Sequence, residues 1–188
     1  MDLLMIVLIV LLVLILLIFV GIYFGYYNKI IRMENRIDNS WAQIDVQLKR
    51  RADLIPNLME TVKGYMTHEK EVLENVTKAR SALMSAKTPQ ENITADNMLT
   101  GALKSLFAVA ENYPDLKANQ NFLNLQDELT NTENKVAYSR QHFNDSVLAY
   151  NNTIETFPGF WFAKRMGRKT RDMLEIPEAD RAVPKVKF

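Results

Sequence analysis

The fold of this chain is decided by residues 37–83, which read IDNSWAQIDVQLKRRADLIPNLMETVKGYMTHEKEVLENVTKARSAL. Apolar residues recur there in alternating steps of four and three, the spacing of one helix face that packs against other helices. We call this face the seam, and only Arg51 and Glu69 place a charge on it. The seam positions are Ile37, Trp41, Ile44, Leu48, Arg51, Ile55, Leu58, Val62, Tyr65, Glu69, Val72, Val76, Ala79 and Leu83.

Composition narrows the classes of function. The 188 residues carry 23 basic and 22 acidic side chains, a formal net charge of +1, so no nucleic-acid partner is expected. This length suits one membrane anchor and one modest domain. Since the chain has no cysteine, disulfides, thiolate metal sites and cysteine nucleophiles are excluded.

The first 27 residues predict a transmembrane helix. Residues 3–20 are uninterrupted apolar side chains, and residues 3–27 as a helix would be about 37 Å long, enough to cross a hydrocarbon core of about 30 Å. A cleaved signal peptide fits less well, because Asp2 replaces the basic n-region. No Lys or Arg precedes the span and several follow it, so we expect the N-terminus outside the cell (inner) membrane and the remainder in the cytoplasm. The candidate interface residues are Tyr23, Tyr26, Tyr27, Lys29 and Arg32.

Helical periodicity continues past the membrane. We expect the spanning helix to run without a linker into the seam and to end near Ala86, where Thr88 and Glu91 form a capping box around Pro89. Pro56 predicts either a kink or a restart with Asp53 as cap, and the unbroken phase of the seam favours a kink.

Two further helices are predicted, from Pro89 to Glu111 and from about Ala118 to Phe157. The first has Met98, Leu99, Leu103, Leu106, Phe107 and Ala110 on one face, and the second has Phe122, Leu125, Leu129, Val136, Phe143, Val147, Tyr150, Ile154 and Phe157. The fold is therefore all-α, with the span continuing into a long antiparallel up-and-down bundle of three to four helices over 28–157. A long hairpin with a broken return arm and a compact four-helix bundle would bury the same residues.

Several motifs carry a family resemblance. They are SWAQIDVQLKRR at 40–51, DLIPNL at 53–58, ETVKGY at 60–65, YPDLKA at 113–118, FPG at 157–159 and PKVKF at 184–188. With these motifs the chain resembles the LemA family. The resemblance implies a membrane-anchored antiparallel helical bundle and supplies no catalytic residues.

No catalytic, cofactor or metal site is predicted. His68 and His142 lack the spacing of zincin or di-iron ligands, and no phosphate loop or nucleophile elbow is present. We therefore expect a non-catalytic membrane scaffold or adaptor that contacts the lipid bilayer, self-associates as a homo-oligomer and engages other membrane proteins. The alternatives are a regulatory subunit of a membrane protease or transporter, or an enzyme whose site is assembled from distant residues.

The two charged seam positions allow two interpretations. Arg51 and Glu69 are either polar contacts inside the bundle or long side chains that reach solvent, and the second is favoured because such side chains readily do so. Lys49, Arg50 and Arg51 then form a solvated basic face and are the candidate partner contacts.

Residues 158–175 combine aromatic and basic side chains, as segments at a lipid headgroup boundary do. They predict a second membrane contact through Phe160, Trp161, Phe162, Lys164, Arg165, Arg168, Lys169 and Arg171. In the alternative, the aromatic residues close the membrane-proximal end of the bundle. Residues 176–188 contain two prolines and predict an extended tail.

Overall fold

The computed structural model describes residues 3–175, and in that range its regular structure is entirely helical, which confirms the all-α prediction. The helices are α1 (Leu3–Lys63), α2 (Lys70–Ser85), α3 (Pro89–Ala110), α4 (Pro114–Lys117), α5 (Gln120–Glu155) and α6 (Gly159–Arg165). The predicted extended tail at 176–188 lies outside the described residues.

The chain divides into two compact units. The anchor unit contains the described residues up to 39 together with 144–173, and the core unit contains 40–143 with the described residues after 173. Helices α1 and α5 each contribute one part to each unit.

The core unit is a four-helix up-and-down bundle, built from parts of α1 and α5 together with α2 and α3. Contacts between neighbouring helices join rising residue numbers on one helix to falling numbers on the other, which is the antiparallel arrangement expected for short connections. These pairs are Trp41 with Phe143 and Arg50 with Glu128 between α1 and α5, and Phe107 with Phe122 and Asp96 with Arg140 between α3 and α5. Helix α2 follows α1 after a short turn, and Arg80 donates to the carbonyl oxygen of Ala52. Of the two topologies that the sequence left open, the structure contains the four-helix bundle.

The prediction of one helix up to residue 86 is wrong at 64–69, which form a turn between α1 and α2. The backbone N–H groups of Tyr65 and Met66 both donate to the carbonyl oxygen of Val62. Met66 is fully buried whereas Tyr65 is 37% exposed, so the buried face shifts by one residue at this point. Glycine is about 1 kcal/mol less favourable than alanine in a helix, which explains an ending at Gly64. The spacing of threes and fours continues because both sides of the turn face one core.

Most apolar positions of the seam are buried as predicted, and Arg51 is buried with them. The buried positions are Ile37, Ile44, Leu48, Arg51, Ile55, Leu58, Val62, Val76, Ala79 and Leu83. Helix α1 contains Pro56 in its interior, so it does not restart at Asp53. Three predicted core residues are exposed: Tyr65 lies in the α1–α2 turn, Met98 lies beside the buried residues of α3, and Phe157 follows the end of α5. The capping box of Thr88 and Glu91 is present at the start of α3.

Candidate functional site

The N-terminal part of α1 is an uncovered apolar surface. Side chains from Leu3 to Val20 are 43–79% exposed, and none is buried by protein atoms. This helix is long and apolar enough to cross a membrane, and it is the only such helix among residues 3–175. The prediction of a helix suited to a membrane is therefore confirmed at the level of length and composition.

Three aromatic rings pack together beside the end of this apolar surface. The Phe162 ring stacks on Tyr26, with centroids 5.1 Å apart and planes 8° apart, and its edge meets Tyr23 at 5.9 Å. Phe162 is consequently only 7% exposed. Its prediction as a membrane contact is wrong, because its ring is covered by α1. Phe160 and Trp161 of the same helix are 47% and 54% exposed.

Helix α6 lies very close to the end of α5. Gly159 is buried, and a Cβ added there would collide with the carbonyl oxygen of Thr153. The backbone N–H of Phe160 donates to the carbonyl oxygen of Thr156 at 2.8 Å. Only glycine permits this approach, so the FPG sequence positions Phe162 of α6 against α1.

An apolar groove of about 640 Å³ lies next to the stacked rings. Its walls belong to α1 on one side and to α6 with its preceding turn on the other. The lining residues are Phe19, Val20, Ile22, Tyr23, Phe24, Phe157, Pro158, Trp161 and Phe162. Phe157 is 87% exposed, so this wall of the groove is open.

The chain after α6 is held to the anchor unit by a polar network. Glu34 accepts a hydrogen bond from the Tyr150 hydroxyl at 3.2 Å and forms an ion pair with Arg168 at 3.1 Å. Burial raises the pKa of the Tyr150 phenol, and the neighbouring Glu34 carboxylate raises it further. Asn151 exchanges two 2.9 Å hydrogen bonds with the backbone of Arg171. These contacts determine where the basic residues lie.

The predicted basic residues of the anchor unit are exposed. Lys29 Nζ lies 5.7 Å from the centroid of the Tyr26 ring, and Arg168 forms an ion pair with Glu34. The exposed basic residues are Lys29, Arg32, Lys164, Arg165, Arg168, Lys169 and Arg171. Tyr23 and Tyr26 are half-buried, and Tyr27 is exposed.

Arg51 is not on a solvated face, which corrects both the favoured interpretation and its place among the partner contacts. Its side chain is 1% exposed and donates to Asp96 at 2.6 Å, to Thr100 at 2.9 Å and to Glu133 at 3.2 Å. The second Asp96 oxygen accepts from Arg140 at 2.5 Å. We call Arg51, Asp96, Arg140 and Glu133 the charge cluster. Two positive and two negative side chains balance one another in it.

Lys49 and Arg50 are exposed, as a basic surface requires. Arg50 pairs with Glu128 at 2.9 Å, and both side chains are about half exposed. Glu69 is half-buried and accepts a hydrogen bond from the Tyr113 hydroxyl at 3.2 Å. Burial and the Glu69 carboxylate raise the pKa of Tyr113. The Glu69 side chain therefore connects the α1–α2 turn to the segment before α4.

A polar cleft of about 340 Å³ borders the charge cluster. Its charged lining residues are Asp96, Lys104, Glu133 and Arg140. No group of three or more potential metal ligands occurs in the part of the chain that the structure describes. Two acidic and two basic side chains therefore offset one another in the lining of the cleft.

One pairing was not predictable from sequence spacing. Ser40 Oγ and His142 Nδ1 lie 3.1 Å apart across α1 and α5. A serine beside a histidine is the geometry of an activated nucleophile. Ser40, however, is only 1% exposed, so a substrate would not reach its hydroxyl. His68 is exposed in the α1–α2 turn.

Comparison with known proteins places this bundle in a family. A model of the LemA family matches residues 40–188, which is most of the chain. The chain belongs to the LemA family. The match begins at the residue where the core unit begins, so the family pattern includes the whole described four-helix bundle with its charge cluster.

Two relatives have sequences similar to this chain. The chain is 30% identical over 143 residues to Protein LemA of Metamycoplasma hominis, an alignment that covers 74% of this chain and 64% of the relative. It is 21% identical over 169 residues to Magnetosome protein MamQ of Magnetospirillum gryphiswaldense, covering 76% of this chain and 62% of that protein. The chain thus spans somewhat less than two thirds of the length of each.

Proposed function

We propose that this LemA-family protein is a non-catalytic, membrane-anchored scaffold or adaptor. The observation that carries the proposal is α1, which joins an uncovered apolar segment to a four-helix bundle within one uninterrupted helix. Such a helix attaches a folded domain to a bilayer without a flexible linker. The similarity to a magnetosome protein is consistent with a role at a membrane.

The polar groups of the bundle support a non-catalytic role. Both carboxylate oxygens of Asp96 are occupied by arginines, and the ion pairs of the charge cluster lie between helices of one bundle. Catalytic groups need access to a substrate. An enzyme is the second candidate because Ser40 and His142 are paired, and the burial of Ser40 argues against it.

The orientation that we propose has the N-terminus outside and the bundle in the cytoplasm. Lys29, Arg32 and Arg36 directly follow the apolar segment. Positively charged residues near a span are retained on the cytoplasmic side. The cell (inner) membrane is then the location of the protein.

The exposed surface of the core unit is the region that we propose for partners, including a second copy of this chain or another membrane protein. Lys49 and Arg50 supply charge, while Val46, Met98 and Tyr138 are apolar side chains that are 55–72% exposed. Aromatic and apolar residues on a polar background are typical of protein interfaces. A regulatory subunit of a membrane protease or transporter would use the same surface.

Site-specific photocrosslinking tests this proposal. A photoreactive phenylalanine analogue replaces Tyr138 or Val46 in the full chain within native membranes, and the same analogue at buried Tyr150 is the control. We expect discrete crosslinked species from the exposed positions, at twice the chain mass if the chain self-associates. If exposed positions on all four helices of the core unit give no more product than the control, the scaffold proposal is wrong.

A further inference from the structure

One wall of the apolar groove in the anchor unit is exposed, and no packing among the described residues explains that exposure. Phe157 and Trp161 are 87% and 54% exposed and face the α1 wall that runs from Phe19 to Phe24. Concave apolar surfaces of several hundred Å³ are typical ligand sites. A ligand of matching chemistry would have to be largely hydrocarbon.

Positive charge lies at one end of the groove. Lys29 Nζ is 5.7 Å from the Tyr26 ring, and that ring stacks on Phe162 in the groove wall. Phe19, at the opposite end of the α1 wall, precedes Lys29 by about 15 Å along the helix axis. Lys164 is exposed and lies within one helical turn of Trp161. Lys29 thus adds a positive charge beyond one end of the α1 wall, and Lys164 adds one to α6, which forms part of the opposite wall.

We propose that the groove binds one acyl chain of an anionic glycerophospholipid, with the lipid phosphate beside Lys29 and Lys164 and the acyl chain along Phe19 and Tyr23. Hydrocarbon matches the lining, and a phosphodiester anion matches the two ammonium groups. Charge and apolar surface follow one another along α1 in the same order as headgroup and acyl chain in a leaflet. The inference rests on the membrane anchoring in the proposed function.

Fluorescence of Trp161 tests the site in the full chain. The sequence contains two tryptophans, so Trp41→Phe leaves Trp161 as the reporter. The chain is reconstituted in phosphatidylcholine vesicles with a minor fraction of phosphatidylglycerol, and chain-brominated lipid of either headgroup is present at the same mole fraction. Each lysine at the phosphate favours the anionic lipid by about 1 kcal/mol, or about fivefold. Brominated phosphatidylglycerol should therefore quench Trp161 several-fold more effectively.

Matched variants distinguish lipid binding in the groove from nonspecific electrostatic attraction of anionic lipid to the basic residues. Lys29→Gln with Lys164→Gln should abolish the preference, whereas Lys78→Gln, an exposed lysine of the core unit, should preserve it. Phe157→Ala removes part of the wall and should weaken quenching by the anionic lipid. Phe160→Ala, which is outside the lining, should leave quenching unchanged.

Three results would overturn the lipid site. Equal quenching by both lipids would mean that Trp161 is simply immersed in the bilayer. A preference that responds to the lysine changes but not to Phe157→Ala would mean diffuse attraction to the basic residues. Quenching by neither lipid would mean that something else, such as a second copy of the chain, covers Trp161. None of these results concerns partner binding by the core unit, which the crosslinking experiment measures.

Discussion

Replacing Asp96 with alanine should destabilise the bundle by about 3–5 kcal/mol, because removal of one member of a buried charge pair leaves its partner uncompensated. Asp96 is 3% exposed and contacts Arg51 at 2.6 Å and Arg140 at 2.5 Å. Glu133 remains near Arg51, but it is 40% exposed, so water screens much of its compensation. Arg51 and Arg140 would then remain buried without the carboxylate that both of them contact.

Urea unfolding of the full chain in mild detergent, followed by far-ultraviolet circular dichroism, measures this loss. Arg50→Ala is the matched control: it neighbours Arg51, but its pair with Glu128 is half exposed and should contribute less than about 1 kcal/mol. If Asp96→Ala and Arg50→Ala lower the free energy of unfolding equally, the account of a buried charge cluster fails. Changing Arg51, Asp96 and Arg140 together to Met, Leu and Met should be far less harmful than Asp96→Ala alone, since the one charge left without its partner, Glu133, is 40% exposed and no buried charge is left unpaired.

Three further predictions concern α6, pH and orientation. Gly159→Ala should displace α6 from α5 at a cost of about 1–3 kcal/mol, as overpacking does, and should make Trp161 more accessible to a soluble quencher. The pKa of Tyr150 is raised in the folded chain. The contribution of Tyr150 to stability is therefore complete below the unfolded tyrosine pKa of about 10 and is lost as the pH rises through the folded pKa. Tyr150→Phe should reduce this alkaline loss of stability, as measured by urea unfolding at several pH values. Since the chain lacks cysteine, a single Ser81→Cys in α2 should react with a membrane-impermeant maleimide in inside-out vesicles and not in intact cells; the reverse labelling would refute the proposed orientation.

The periodicity of the sequence predicts which residues are buried better than it predicts where the helices end. Ile44, Leu48, Ile55 and Leu58 are all buried as their spacing implies. The turn at 64–69 was missed because a helix and a helical hairpin in the same phase bury the same positions. Gly64 was the local signal, but one glycine in a long periodic stretch does not by itself end a helix.

The charge cluster was only partly predictable. Arg51 on an apolar seam was visible, and Asp96 falls in phase with Ile93 and Leu99 on α3, which is a comparable violation. The pairing requires the topology, because nothing local indicates that Asp96 meets Arg51 and Arg140. When each of two predicted helices has a charged residue at a position that should be buried, the pattern indicates that these two residues pair across the core.

The aromatic triplet shows a similar limit. Consecutive residues of a helix point about 100° apart, so Phe160, Trp161 and Phe162 could not all face lipid. One ring had to point inward, and Phe162 does so by stacking on Tyr26. Which of the three is covered depends on the approach of α6 permitted by Gly159, which is a tertiary contact.

The charge cluster also discriminates between helix registers, which the apolar seam does only weakly. A stripe in steps of three and four nearly repeats itself after seven residues, so apolar contacts alone discriminate weakly between the native bundle and one shifted by two turns. Arg51 has no equivalent seven residues away, where Ile44 and Leu58 stand, and Asp96 is likewise followed at that distance by Leu103. A shift in one direction would bury Arg51 against Leu103, and a shift in either direction would place Asp96 opposite Ile44 or Leu58. We infer that the cluster sets the register of α1, α3 and α5, a role for which buried polar groups are best attested, and that its contribution to specificity exceeds its net contribution to stability.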